Sequence, residues 1–162
     1  MIELTGSDGV QGTNDRHQGA FEILQPHIDS GAIKVVHTAT GNWIKDQAMA
    51  RMEEAYNATE GNFDVVYGHN DPMAFGAYLV TKEKNPALAE TAIFVGVDGL
   101  QTEGAKFVRE GQLDATFEYP LCVDKAVELT IEMLNDETFT PEKVYTLPSK
   151  AITKETLKEE AK

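Results

Sequence analysis

The sequence predicts an α/β fold with three α-β-α layers and a mostly parallel sheet. Short runs rich in β-branched and aromatic residues recur along the 162-residue chain, and segments with the apolar spacing of amphipathic helices lie between them. The connections are short, which favours right-handed crossovers and a sheet covered by helices on both faces. The length suffices for one domain with a core of its own.

Each element is predicted from its local pattern. β-type runs are expected at residues 2–5, 33–38, 63–68, 92–97 and 113–118. Helical spacing relates Phe21, Leu24 and Ile28, and it recurs after the second strand. A further amphipathic helix is expected at 121–135, followed by the run KVYTL at 143–147 and a charged tail.

The composition excludes several kinds of partner. The formal net charge of −13 leaves no cationic surface of the kind that nucleic acid or anionic lipid requires. The sequence has no run of about 18 apolar residues, so no membrane span is expected. The single cysteine, Cys122, excludes an internal disulfide and is expected to be a core or semi-buried thiol. The first residues carry no export signal, which leaves open a cytosolic protein or a leader already removed.

Polar side chains follow the predicted strands at the points where these end. The carboxyl ends of parallel strands share one edge of a sheet, and ligands of such sheets bind there. Planar groups with forked donors or acceptors hydrogen-bond neighbouring hydroxyls, and an aromatic face covers the C–H face of a sugar ring. The edge therefore indicates a site for a small neutral polyol, with candidates Arg16, Trp43, Asn70, Asp71, Asp98 and Glu118.

Structural roles compete with ligand binding at several of these positions. Asp71 precedes Pro72 and is expected to cap a helix, which leaves Asn70 as the residue free to meet a ligand. Trp43 is equally well explained as a core residue at the start of a helix. Arg16 is equally well explained as the partner of an acid on a helix surface.

Other chemistries have less support in the sequence. His69 with Asp71 and Asp98 is the one candidate metal cluster, and no HxxxH or CxxC spacing accompanies it. The glycines at positions 6, 9 and 12 match neither a Rossmann nor a P-loop fingerprint and are interpreted as turn residues. No GxSxG elbow is present. We therefore expect no catalytic residue, no metal site and no cofactor.

Nearly the whole chain is covered by motifs in a fixed order: IELTG with NDRHQGAF, then VVYGHNDPMAFGAY, IFVGVDG and LDATFEYP. Together they resemble the type I periplasmic sugar-binding proteins. That family includes the ribose-, galactofuranose- and galactose-type solute-binding proteins of ABC transporters, and the effector domains of LacI-type repressors share its fold. The resemblance implies one lobe of a periplasmic binding protein-like I fold and a binding module rather than an enzyme.

The resemblance also assigns sugar-binding roles. Arg16 matches the arginine that clamps hydroxyls, Trp43 stands where an aromatic ring stacks on the sugar, and Asn70 and Asp98 match residues that hydrogen-bond hydroxyls. Glu118 in TFEYP stands where ribose binders have a glutamine, in a stretch one residue shorter, so plain ribose is disfavoured. The segment RHQGAF carries one residue more than the family spacing, which affects the expected packing of its helix.

Family members are two-lobed and longer, so the resemblance implies that residues 1–162 are a single C-terminal lobe. The N-terminal lobe, with its share of the sugar contacts, is absent from this chain. The helix at 121–135 would pack on that missing lobe. We expect its apolar face either to fold back onto this lobe or to pair with a second chain in a homodimer.

The implied function is monosaccharide binding in a cleft between lobes, with the closed form recognised by an ABC permease. The parent protein would then be extracytoplasmic, either periplasmic or a cell-surface lipoprotein. The alternative is the sugar-sensing lobe of a LacI-type repressor or of an extracellular signalling receptor. A receiver-type phosphoacceptor domain has similar length and alternation, but TGSDG and TFEYP lack the acidic pair and the lysine that it needs.

Overall fold

One six-stranded sheet organises the chain, as seen in a computed structural model that describes residues 1–160. The strands are β1 (Ile2–Thr5), β2 (His37–Thr40), β3 (Val65–Gly68), β4 (Ile93–Val95), β5 (Ala115–Phe117) and β6 (Ala151–Thr153). The helices are α1 (Gln11–Asp29), α2 (Lys45–Thr59), α3 (Asp71–Lys84), α4 (Pro86–Thr91), α5 (Gly104–Arg109), α6 (Val123–Asn135) and α7 (Lys154–Glu160). The predicted α/β fold with a mostly parallel sheet is confirmed.

The strand order is β2-β1-β3-β4-β5-β6, and all neighbours are parallel except β5 and β6. The antiparallel strand β6 and helix α7 come from the charged tail, for which no regular structure was predicted. Residues 143–147 form neither a helix nor a strand. β6 is fixed by pairing with β5, where Ile152 lies opposite Thr116, and no local pattern announces that pairing.

The main core lies on one face of the sheet. Because side chains alternate along a strand, Ile2 and Leu4 of β1, Val66 of β3 and Phe94 of β4 point to this face, and each is at most 1% exposed. Helices α2, α3 and α5 pack there, and Met73 of α3 belongs to the same buried cluster. This packing fixes the carboxyl ends of the parallel strands relative to one another.

The opposite face of the sheet is only partly covered. Helix α1 lies on it and accepts a hydrogen bond at the Arg16 carbonyl from the Tyr67 hydroxyl, at 3.2 Å. Beside α1 an apolar groove of about 740 Å³ remains open, with Val65, Val95 and Phe117 on its sheet wall and Ile23 on its helix wall. The predicted three-layer arrangement is confirmed, because helices lie on both faces of the sheet, but α1 covers this face only in part.

Helix α6 begins two residues after the predicted start and ends where predicted, and none of its residues is buried. Its apolar stripe consists of Val123, Val127 and Ile131, which are 63%, 53% and 53% exposed. Of the two outcomes expected for this stripe, folding back onto the lobe does not occur. Cys122, expected to be a core or semi-buried thiol, is exposed because α6 stands away from the core. Among residues 1–160, no helix is both long enough and apolar enough to cross a membrane.

We expect Phe94→Ala to lower the free energy of unfolding by about 3–5 kcal/mol, the range for removing a buried aromatic side chain. Phe94 is 1% exposed and its ring meets that of Tyr78 edge-on at 5.6 Å. Phe117→Ala is the matched control, because that phenylalanine is 41% exposed. Urea unfolding followed by circular dichroism measures both. Equal losses of unfolding free energy in the two variants would contradict this prediction, because they would mean that the two faces of the sheet are equally packed.

Candidate functional site

A cavity of about 400 Å³ opens at the carboxyl ends of the parallel strands. Of the five residues to which the resemblance assigns sugar-binding roles, four line it and Glu118 does not. The full lining is Gly12, Asp15, Arg16, Trp43, Asn70, Asp98 and Tyr119. These residues come from α1 and from the segments after β2, β3, β4 and β5, so the sheet assembles the cavity from distant parts of the sequence.

Arg16 lines the cavity and contacts residues from four different segments. One guanidinium nitrogen donates to the carbonyl of His69, and another donates to Asp98 Oδ1 at 2.7 Å. The guanidinium carbon lies 5.2 Å from the Trp43 ring centroid and 5.3 Å from that of Tyr119. Stacking and hydrogen bonding together fix the plane of the guanidinium. The partner acid is in the cavity, so the interpretation of Arg16 as half of a surface ion pair is wrong.

Trp43 is held in a tight turn before α2. Both Asn42 and Trp43 have positive φ, 52° and 67°, in the left-handed region that residues other than glycine seldom adopt. Helix α2 begins only at Lys45. A Cβ on Gly6 would lie 2.0 Å from the indole carbon Cζ2, so the ring rests directly on the Gly6 backbone. The indole is partly buried against the core and also lines the cavity, which combines the two roles that the sequence left open.

Asn70, and not Asp71, caps helix α3. Its Oδ1 accepts a hydrogen bond from the Met73 backbone N–H at 3.0 Å, and its Nδ2 donates to the Trp43 carbonyl at 3.1 Å. The prediction that Asp71 is the cap is wrong, because Asp71 is the first helical residue and its side chain is buried beneath the site. Asn70 keeps one amide N–H and one lone pair that these two bonds do not use.

Asp98 follows β4 with φ at 116°, a strained conformation for a residue with a side chain. Its backbone N–H donates to the Phe117 carbonyl and its carbonyl accepts from the Tyr119 N–H, at 3.0 and 3.1 Å. This pairing continues the β4–β5 ladder past the strand ends. It therefore places Asp98 and Tyr119 beside each other at the cavity.

Glu118 lies apart from the other predicted site residues. Neighbouring residues in an extended segment point to opposite faces, so Tyr119 at the cavity directs Glu118 away from it. Glu118 instead lines a separate cleft of about 720 Å³ with residues of the β6 region, including Lys150 and Ile152. Tyr119 is the site residue that sequence reasoning missed. No local pattern in LDATFEYP marks Tyr119, because its position depends on pairing of the chain beyond the end of β5.

A buried polar cluster supports the cavity from below. Gly6 N–H donates to His69 Nδ1 at 3.3 Å, which leaves Nε2 to donate to Glu3 Oε1 at 3.1 Å. His17 Nδ1 lies 2.7 Å from the same carboxylate oxygen. Burial raises the pKa of Glu3, but the hydrogen bonds from His69 and His17 outweigh it and bring the pKa below the ordinary value. The fixed His69 ring explains why its carbonyl is presented to Arg16.

His69, Asp71 and Asp98 were the one cluster that the sequence offered as candidate metal ligands. Within residues 1–160, no group of three or more histidine, cysteine, aspartate or glutamate side chains is placed to hold a metal ion. His69 in particular is fully buried and has both ring nitrogens in protein hydrogen bonds.

Comparison with known proteins relates the fold and the cavity to one family. The family described as periplasmic binding protein domain matches residues 1–138. A xylitol-binding protein of Mycolicibacterium smegmatis is 28% identical over 158 residues, covering 96% of this chain and 42% of that protein. A galactofuranose-binding protein of Escherichia coli is 26% identical over 163 residues, covering 99% of this chain and 50% of that protein. The chain thus spans half or less of these relatives' lengths.

A solved structure shares nearly the whole fold. The fructose-binding periplasmic domain of a hybrid two-component system is 30% identical, with a TM-score of 0.83. The match covers 99% of this chain and 52% of that one.

We expect Gly6→Ala to displace the Trp43 ring, because the added Cβ would overlap the indole. Trp43 is the single tryptophan, so its fluorescence reports the displacement directly. The emission maximum should move to longer wavelength and acrylamide quenching should increase. Gly19→Ala is the control, since its Cβ would meet no atom within 4 Å. Unchanged fluorescence in Gly6→Ala would contradict the tight contact.

Proposed function

The chain belongs to the periplasmic binding protein family, and we propose that its cavity binds a monosaccharide as one half of the ligand site of an ABC transporter's substrate-binding component. The observation that carries this proposal is the Arg16 guanidinium, fixed between the rings of Trp43 and Tyr119 and paired with Asp98. A cation with its donors fixed in a plane, beside two aromatic faces, matches the alternating hydroxyl and C–H surfaces of a sugar.

Each lining residue has a distinct role in this proposal. The Arg16 N–H groups that are not used by His69 and Asp98 donate to sugar hydroxyls. Asp98 Oδ2 accepts from a hydroxyl, and the free N–H and lone pair of Asn70 serve a third. Trp43 or Tyr119 covers the apolar face of the ring. Polar groups held by the protein before the ligand arrives lose little conformational freedom on binding.

The proposal makes this chain one wall of the site. The relatives are about twice as long or longer, and the cavity is open on the side away from the sheet. The second wall belongs to the rest of a two-lobed protein. Closure of the two lobes would then bury the sugar, and the closed form would be recognised by the permease, outside the cytoplasm.

The uncovered apolar surfaces are consistent with a missing lobe. The stripe Val123, Val127 and Ile131 and the groove beside α1 would each be covered in a longer protein. In the isolated chain we propose that a second copy covers the α6 stripe, because an amphipathic helix without a partner favours association.

A sensing role is the second candidate. The fructose-binding domain that shares the fold is part of a hybrid two-component system, which supports sensing as the alternative. The cavity chemistry is the same in both cases. What distinguishes them is the partner of the closed form, either a permease or a signalling domain. In neither role does the chain act as an enzyme.

We expect the 162-residue chain to bind monosaccharides weakly, with a dissociation constant in the millimolar range, because it supplies one wall of the site. Titration of the ¹⁵N-labelled chain with D-xylose, D-galactose and D-fructose, followed by NMR, measures this. Shifts should centre on the amides of the cavity residues. Submicromolar affinity would contradict the half-site interpretation, and no response to any pentose or hexose would contradict sugar binding.

Asn70→Ala and Asp98→Ala should each abolish the response to sugar. Loss of a helix cap alone costs about 1 kcal/mol, so Asn70→Ala needs a structural control. Asn85 caps α4 in the same way, with its Oδ1 accepting from Leu88 N–H at 3.1 Å, and it does not line the cavity. Asn85→Ala should therefore keep the response. Loss of binding in Asn85→Ala as well would mean that the fold, and not the site, had been damaged.

We expect the chain to self-associate through α6 at high concentration and Ile131→Lys to return it towards the 17.8 kDa monomer. Light scattering after size-exclusion chromatography measures the mass. Glu132→Lys is the control, because it changes the charge of α6 more than Ile131→Lys does and leaves the apolar stripe intact. A wild-type chain that stays monomeric would contradict this proposal.

A further inference from the structure

The turn after β4 is held by a buried carboxylate that the proposed sugar contacts do not include. The Asp71 backbone N–H donates to the Val97 carbonyl at 2.9 Å, and Asp71 Oδ2 accepts from the Gly99 N–H at 2.8 Å. Asp98 lies between these two attachment points and has its strained φ of 116°. Asp71 therefore binds the residues on both sides of Asp98.

The space around this carboxylate is cleared by two glycines. A Cβ at Gly96 would lie 2.2 Å from Asp71 Oδ1, and a Cβ at Gly104 would lie 2.0 Å from Asp71 Oδ2. Asp71 itself is 1% exposed. Among the described residues, its Oδ1 and the nearby Thr116 Oγ1 are buried without a partner of normal hydrogen-bond geometry. Burying a carboxylate this deeply is unfavourable, which argues for a role beyond filling space.

We infer that Asp71 is a positioning residue for the cavity, whose carboxylate holds the Asp98 turn through the Gly99 N–H and whose ionisation sets how firmly that turn is held. Asn70 is the preceding residue and caps the same helix. The adjacent residues Asn70 and Asp71 therefore fix both the Asn70 amide and the Asp98 carboxylate, which line the cavity. The effect on sugar affinity rests on the proposed function, whereas the effect on the turn does not.

The surroundings of Asp71 make its ionisation sensitive to mild acid. Burial raises the pKa of its carboxyl to about 6, against the opposing effects of the nearby Thr116 hydroxyl and of the Gly99 N–H. The charged groups facing it are Asp98 in the turn after β4 and Glu103 before α5, and both raise the pKa further. β5 contributes the neutral hydroxyl of Thr116, and β4 borders the carboxylate with Gly96.

Protonation has opposite effects on the turn and on the fold. A neutral carboxyl is a weaker acceptor than a carboxylate, so acidification weakens the bond from Gly99 and loosens Asp98. The folded-state pKa is raised above the unfolded value, so the folded chain binds the proton more tightly. The contribution of Asp71 to stability is therefore greatest at low pH and is lost as the pH rises through about 6. If Asp71 acted only on the stability of the fold, acidification would not weaken sugar binding, because the fold is then more stable.

The test uses Asp71→Asn in the full 162-residue chain, because asparagine keeps the shape and a neutral acceptor oxygen. Asp64→Asn is the control, since it removes the same charge at an exposed position. The first readout needs no ligand. The amides of Asp98 and Gly99 in ¹⁵N spectra should titrate near pH 6 in the wild type and in Asp64→Asn, and this step should be absent in Asp71→Asn.

The second readout is affinity for D-xylose, D-galactose and D-fructose. The wild type should bind about 3- to 10-fold more weakly at about pH 5 than at about pH 7.5, the factor that corresponds to one net hydrogen bond. Asp71→Asn should bind at both pH values as weakly as the acidified wild type. If Asp71→Asn keeps the wild-type titration of Gly99, or binds as tightly as the wild type at the higher pH, the positioning role is wrong. If no sugar binds to any of these proteins, the proposed function fails, and the Asp98 and Gly99 titrations alone decide the positioning role.

Discussion

The clamped guanidinium of Arg16 is the constraint on which the rest of the cavity depends. Arg16 lies on α1, yet its side chain contacts the His69 carbonyl after β3 and the Asp98 carboxylate after β4. The rings of Trp43 and Tyr119 lie beside it, after β2 and β5. One cation therefore joins four strand ends. In a chain with a net charge of −13, that cation also compensates the carboxylate of Asp98.

The scaffold stabilises several unfavourable features at this point. Trp43 and Asp98 have positive φ, and each such residue costs about 1–3 kcal/mol. Glu3 is buried below the cavity and is compensated by hydrogen bonds from His69 and His17. Strain and buried charge are distributed around Arg16 and are sparse in the α2–α3 core. Such clustering is typical of a binding site, where geometry is held against local preference.

The fold was predictable from local pattern, whereas parts of the site depended on long-range pairing. That Arg16, Trp43, Asn70 and Asp98 lie together at one cavity could be predicted, because side chains at parallel strand ends share one edge. Asp71 was mistaken for the cap since Asn-Asp-Pro offers two adjacent capping residues, and the buried space between Gly96 and Gly104 decides between them. Glu118 was predicted from the position of the glutamine in ribose binders, whereas Tyr119 reaches the cavity because the chain continues its pairing beyond β5, which no local signal shows. Strand β6 also depends on long-range pairing, because it forms only along the edge of β5.

The supports under the cavity explain how one wall can be prepared without its counterpart. Asn70 is fixed by capping α3, and Asp98 by the ladder to β5 and by the turn that Asp71 holds. Arg16 is fixed by the His69 carbonyl and by Asp98. None of these contacts needs a ligand or a second lobe. Side chains ordered in advance lose little entropy when a ligand arrives. If the chain is one wall of a two-lobed site, as proposed, affinity depends on how much of the ligand the closure of the second wall buries, and not on rearrangement of this wall.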